Sequence, residues 1–181
     1  MTRILPSLAW SAVAIGLLAC GGSGSVTPVY IVRYQPNDTQ MAAAQGVTLA
    51  DIRSSVFTSD QDKAAIVAAM QERNQGPKLH FALAVPPQRH PYRVVVAFGD
   101  PPAGDGDFCK HDDLVGQPSG ARTTVVMSFC YGPALLSQVV GVTASARSAG
   151  DANLHGLIAN ALVALLPTDD PTQRGAFSPE R

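Results

Sequence analysis

Arg122-Thr123-Thr124-Val125-Val126-Met127-Ser128-Phe129-Cys130-Tyr131 runs ten residues without a glycine or proline. Thr123, Val125, Met127 and Phe129 fall two apart, so an extended chain carries them all on one face. Thr123, Val125 and Phe129 are β-branched or aromatic and suit a pleated, half-buried surface. This strand decides the fold class, because its neighbours repeat the pattern. Upstream, Tyr92 to Phe98 sets Val94, Val95 and Val96 in succession, as in a strand covered on both faces. Before it, Leu79, Phe81, Leu83 and Val85 alternate with His80, Ala82 and Ala84. Residues 139–147 predict the last strand, where Gly141 marks a bulge or a close approach. Residues 29–34 predict the first.

Two helices complete the pattern. Ser59, with Asp62 three residues on, is a capping arrangement ahead of an Ala-rich run to Met70. Asn74-Gln75-Gly76-Pro77 stops that helix. Asp151 opens the second, whose Leu154, Leu157, Ile158, Ala161, Leu162 and Leu165 follow the helical period, and Pro167 ends it. Residues 35–58 are harder to order. Asn37-Asp38 marks a turn, Met41 to Ala44 fits one helical turn, and residues 49–57 fit a strand. The order β-α-β-β-β-β-α predicts an α+β domain: a mostly antiparallel sheet of about five strands with two helices packed on one face.

The N-terminus carries a different signal. Arg3 precedes an apolar stretch to Ala19, interrupted by Pro6, Ser7, Ser11 and Gly16. A spanning helix needs about 20 predominantly apolar residues, so this stretch fits a secretory leader better than a permanent anchor. It closes on Leu17-Leu18-Ala19-Cys20, followed by Gly21-Gly22-Ser23-Gly24-Ser25. The tetrapeptide resembles the lipobox of bacterial lipoproteins, in which a signal peptide is cut just before a cysteine that then carries lipid. The resemblance covers residues 1–20 only and implies a leader at 1–19, acylation of Cys20 by a thioether-linked diacylglyceryl group and an amide-linked chain such as palmitate, and attachment to a lipid bilayer. By the same resemblance, Gly21 rather than an aspartate after the cysteine implies the outer membrane of a cell envelope, facing the periplasm. Several acyl chains at about 0.8 kcal/mol per buried methylene make such attachment stable. The expected layout is therefore a lipidated cysteine and flexible tether at 20–28, one domain at 29–166, and a polar, disordered tail at 167–181.

That setting bears on the other two cysteines. Cys109 and Cys130 form an even pair in an exported chain, which reads as a disulfide in an oxidising compartment. Closing that loop contributes about 3 kcal/mol in the chain-entropy account. The other arrangements are two buried thiols, or metal ligands together with His111. The bridge would tie down residues 99–120, a long excursion rich in proline and glycine.

With 46% hydrophobic and 15% charged residues the chain is neither disordered nor strongly charged, and its formal net charge is −1. No basic run exists, which argues against nucleic acid as a partner. Catalytic signatures are absent: no HExxH, no GxSxG, no P-loop and no glycine-rich dinucleotide loop follows a strand. No catalytic residue, enzymatic activity or cofactor is expected. The densest polar cluster is Asp105, Asp107, His111, Asp112 and Asp113, whose carboxylates and imidazole suit a divalent ion, although the spacing is not that of an EF-hand. A solvated acidic loop has the same composition. Tyr92, Arg93 and Tyr131 are candidates to line a shallow site. The expected function is a non-enzymatic envelope lipoprotein that presents its domain to an envelope protein or glycan. The alternative is a small-ligand or metal-binding lipoprotein using the 105–113 loop.

Overall fold

Val94, Val95 and Val96 are all inaccessible to solvent, because the sheet they belong to is covered by helices on one face and by a loop on the other. The computed structural model describes residues 24–31, 33–85, 90–101, 107–116 and 120–169. The expected leader, Cys20, Asp105 and residues 170–181 lie outside them. Six strands are present: β1 (Ser25–Tyr30), β2 (Thr48–Arg53), β3 (Phe81–Leu83), β4 (Tyr92–Phe98), β5 (Arg122–Tyr131) and β6 (Ala134–Ala144). Three helices accompany them: α1 (Pro36–Ala44), α2 (Asp60–Met70) and α3 (Ala152–Leu165). The strand order across the sheet is β1-β6-β5-β4-β2-β3.

The fold is α+β, as expected, but the sheet is mixed. β1/β6, β6/β5 and β5/β4 pair antiparallel, whereas β4/β2 and β2/β3 pair parallel. The parallel part comes from β2, which together with α1 occupies the stretch that sequence patterning left unordered. Leu49, Asp51 and Arg53 share one face of β2, so the face that meets the loop is partly polar and breaks the apolar alternation. In α1, Pro36 takes the first helical position, where its missing N–H costs nothing, and the Gln35 amide donates to Asp38 Oδ2 at 2.8 Å.

Three strands also differ in extent from expectation. β1 begins at Ser25, so Ser25 to Pro28, expected in the tether, pair instead with Val142 to Val139 of β6. Proline reads as a strand breaker, yet an edge strand tolerates it because one side makes no ladder. β6 starts at Ala134 rather than 139 and ends at Ala144 rather than 147, joined to β5 by the two-residue turn Gly132-Pro133. Gly132 has φ +54°, the left-handed conformation that this kind of hairpin turn asks of its first residue. β3 is reduced to three residues, since Asn74 Oδ1 takes the Leu79 amide at 3.1 Å and holds the approach to it in a turn.

The helices behave as their caps and stripes demand. Ser59 Oγ accepts the Asp62 amide at 3.1 Å and Asp151 accepts that of Asn153 at 2.9 Å. α3 buries Leu154, Leu157, Ile158, Ala161, Leu162 and Leu165 against the sheet. It comes so close to β6 that a Cβ on Gly141 would lie 2.9 Å from Leu157 Cδ1, the close approach expected at that glycine. Residues from all three helices join one continuous core with Val94, Val96, Phe98, Val125, Met127 and Phe129. Among the described residues no helix is long and apolar enough to cross a membrane.

Candidate functional site

The chemistry of the chain gathers on the second face of the sheet. Alternation along β4 and β5 turns Val95, Ala97, Val126 and Cys130 to that side, where Phe108 and Cys109 cover them. Cys109 and Cys130 form a disulfide with 5.7 Å between their Cα atoms, as expected of an even pair. Both are buried, so the bridge is the apolar floor of the 107–116 segment rather than an exposed thiol site.

Two arginines on the same face hold that segment from below. Arg93 donates to the Cys109 carbonyl at 2.7 Å and to that of Gly132 at 3.1 Å, joining the loop to the β5–β6 turn. Arg53, whose side chain is only 5% exposed, donates to Asp51 Oδ2 from Nε at 2.9 Å and from Nη2 at 2.6 Å. Its Nη1 donates to the His111 carbonyl. Asp112 Oδ1 sits between the two guanidinium groups, 3.4 Å from Arg53 and 3.6 Å from Arg93. Buried charges persist when they are paired and hydrogen-bonded, and Arg53 meets that condition within its own loop and strand.

Two described members of the acidic cluster, Asp107 and Asp112, are spent on structure. Asp107 accepts the Cys109 amide at 3.0 Å through one oxygen and lies 3.1 Å from Lys110 Nζ through the other. Asp112 faces the arginines. His111 contributes its main-chain carbonyl, while its side chain and that of Asp113 belong to the exposed rim of the loop. Among the described residues no three His, Cys, Asp or Glu side chains converge as metal ligands would. The sequence showed the composition of this cluster but not the counter-ions of Asp112: Arg53 and Arg93 lie on strands that precede the loop.

Tyr92, Arg93 and Tyr131 do not form one site. Neighbours on a strand point to opposite faces, so Arg93 staples the loop while Tyr92 enters the helix-side core. Tyr92 stacks on Phe129 at 5.6 Å between ring centroids and lies 4.9 Å from Tyr131, which is half exposed. Its hydroxyl donates to Asp38 Oδ1 at 3.2 Å. Burial, reinforced by the Asp38 carboxylate, pushes the Tyr92 phenol up to about 12. Tyr34 is also raised, chiefly by burial; its hydroxyl donates to the Pro167 carbonyl and meets Thr39 Oγ1, each at 2.8 Å. Both phenols are neutral at physiological pH and serve as ties.

Two shallow crevices open at the edges of this arrangement. One, of about 340 Å³, lies between the loop and the β1/β6 edge, lined by Tyr30, Arg33, Lys110, Leu135 and Gln138 among others. The second, of about 300 Å³, lies at the end of the sheet between Val56, Phe98, Arg122 and Ala146. Neither joins a nucleophile to a base.

No protein-family model matches the chain, and no curated protein sequence matches it. Among solved structures it is similar to the PelC dodecamer from Paraburkholderia phytofirmans in space group P6, with 13% identity over 79% of this chain and 97% of that one, at a TM-score of 0.44. A point variant of the same protein, a dodecamer in space group C2, gives 14% identity over 79% and 98%, at a TM-score of 0.43. Likeness at this level says nothing about what this chain does.

Proposed function

We propose that this chain is a cell-envelope lipoprotein, held to the bilayer through acylated Cys20, whose α+β domain is a non-enzymatic interaction or structural module. Its compartment is the periplasmic side of the outer membrane, and its partner an envelope protein or glycan. The observation that carries this reading is the buried Cys109–Cys130 bridge, which fits the oxidising space that the Leu17-Leu18-Ala19-Cys20 tetrapeptide implies. The polar groups beneath the loop support the non-enzymatic part, because Asp51, Asp107 and Asp112 are each engaged by a cation. The same pairing disfavours the divalent-metal alternative.

Intact mass of protein purified from membranes tests the anchor. The expected species starts at Cys20, carries acyl chains, and lacks two hydrogens for the bridge; any other N-terminus overturns the proposal. A leaderless domain is expected to turn over no substrate in a hydrolase panel and to release no heat with calcium or zinc. Turnover lost with a single side-chain change would make it an enzyme, and saturable heat would restore the metal reading.

A further inference from the structure

We infer that the end of the sheet where β1 starts is the face this domain turns to the bilayer. The inference rests on acylation of Cys20, and the length of the connection carries it. Four residues, Gly21-Gly22-Ser23-Gly24, separate Cys20 from the first residue of β1. A fully extended chain advances at most about 3.6 Å per residue, so five steps reach about 18 Å. β5, with its ten residues, is roughly 33 Å long at the usual rise of a strand. The tether is thus about half as long as the sheet. Gly24 shortens it further, since a Cβ there would lie 2.5 Å from the Val142 carbonyl oxygen and 2.9 Å from Leu157 Cδ1. The chain is already seated on β6 and α3 one residue before the strand.

Register identifies what else occupies that end. Ser25 lies opposite Val142, Ala144 opposite Arg122, Val125 opposite Phe98, and Ala97 opposite Arg53. The turn at residues 54–57, which follows β2, therefore emerges there. It exposes Val56 at 66%, the largest exposure among the bulky apolar side chains of the described residues. α2 and α3 both begin at this end, and helix N-termini carry partial positive charge toward anionic headgroups. Side-chain charge is mixed, with Arg122 and Arg147 set against Asp60, Asp100 and Asp151, so reach and the Val56 tip decide the orientation rather than net charge. The opposite end carries the Gly132-Pro133 turn and half-exposed Tyr131, a full sheet length from the anchor.

The test exploits a quirk of composition. The only tryptophan is Trp10, inside the expected leader, so an introduced indole reports alone in the mature protein. Val56→Trp and Tyr131→Trp both alter side chains more than half exposed, and both variants are expected to fold. Each is expressed full length and reconstituted in phosphatidylethanolamine–phosphatidylglycerol vesicles containing dansyl-phosphatidylethanolamine as acceptor. Energy transfer from Val56→Trp is expected to exceed that from Tyr131→Trp severalfold. Equal transfer, as for a domain lying on its side, or stronger transfer from Tyr131→Trp overturns the orientation. Intact mass on the same samples separates the two failures. Lipid on Cys20 with the wrong transfer pattern removes the orientation alone, whereas an unacylated chain removes the anchor and the orientation with it.

Discussion

The two faces of the sheet are closed by different physics. On the helix face, α1, α2 and α3 bury a broad apolar core. On the other face a short segment covers Val95, Ala97 and Val126 with Phe108, Cys109 and Leu114, beside partly buried Leu135 and Val140. Burial of that size is small at about 25 cal/mol per Å² of apolar surface, so the second face adds one covalent bond and two arginines. The contrast teaches which part is set by area and which by a few discrete ties.

The largest test of that contrast lies on the helix face. Phe129→Ala removes a fully buried ring that touches Tyr34 and Tyr92, and is expected to cost about 3–5 kcal/mol of unfolding free energy in a denaturant titration. Loss of less than half of that would mean the core refills easily. Cys109→Ala with Cys130→Ala comes next, at about 2–4 kcal/mol. Here the far-UV spectrum should persist while amides of residues 107–116 exchange faster; loss of helical signal would show that the faces do not close independently.

Arg53→Met follows, expected to cost about 2 kcal/mol, the scale of hydrogen bonds to charged groups. Its mark is partial loosening of the loop with the disulfide intact, seen as hydrogen exchange around His111; unchanged exchange there would leave the bridge as the sole tie. The last effect is absent at neutral pH and confined to alkaline pH. Tyr92 titrates at about 12 in the folded chain, against 10.0 ordinarily. A raised phenol stabilises the fold below its unfolded value, and that contribution falls away as pH rises from 10 toward 12. Tyr92→Phe is expected to flatten this stretch of the stability–pH curve, and an unaltered slope would assign the loss to another group.

The helix face was the more legible of the two. The stripe of α3, the Ser59 cap and the alternation of β5 are local patterns, each set by neighbours within a few residues. β2 and α1 escaped because Asp51 and Arg53 interrupt the apolar period, and their reason for being there lies in a loop some 60 residues on, at His111 and Asp112. Early β1 escaped because Ser25 to Pro28 have linker composition and become a strand only through a distant partner. At the candidate site, the cysteine pair was visible from parity and context. The fate of Asp107 and Asp112 was not, since composition shows charges without showing what neutralises them.

Among the described strands β1 hydrogen-bonds to β6 alone, with Ser25 facing Val142. A chain made from its N-terminus must therefore hold β1 in reserve until β6, the last described strand, has been synthesised. Contacts so distant in sequence slow folding, because the loop entropy is spent before the pairing returns it. The strand nearest Cys20 is thus the first to appear and among the last to settle.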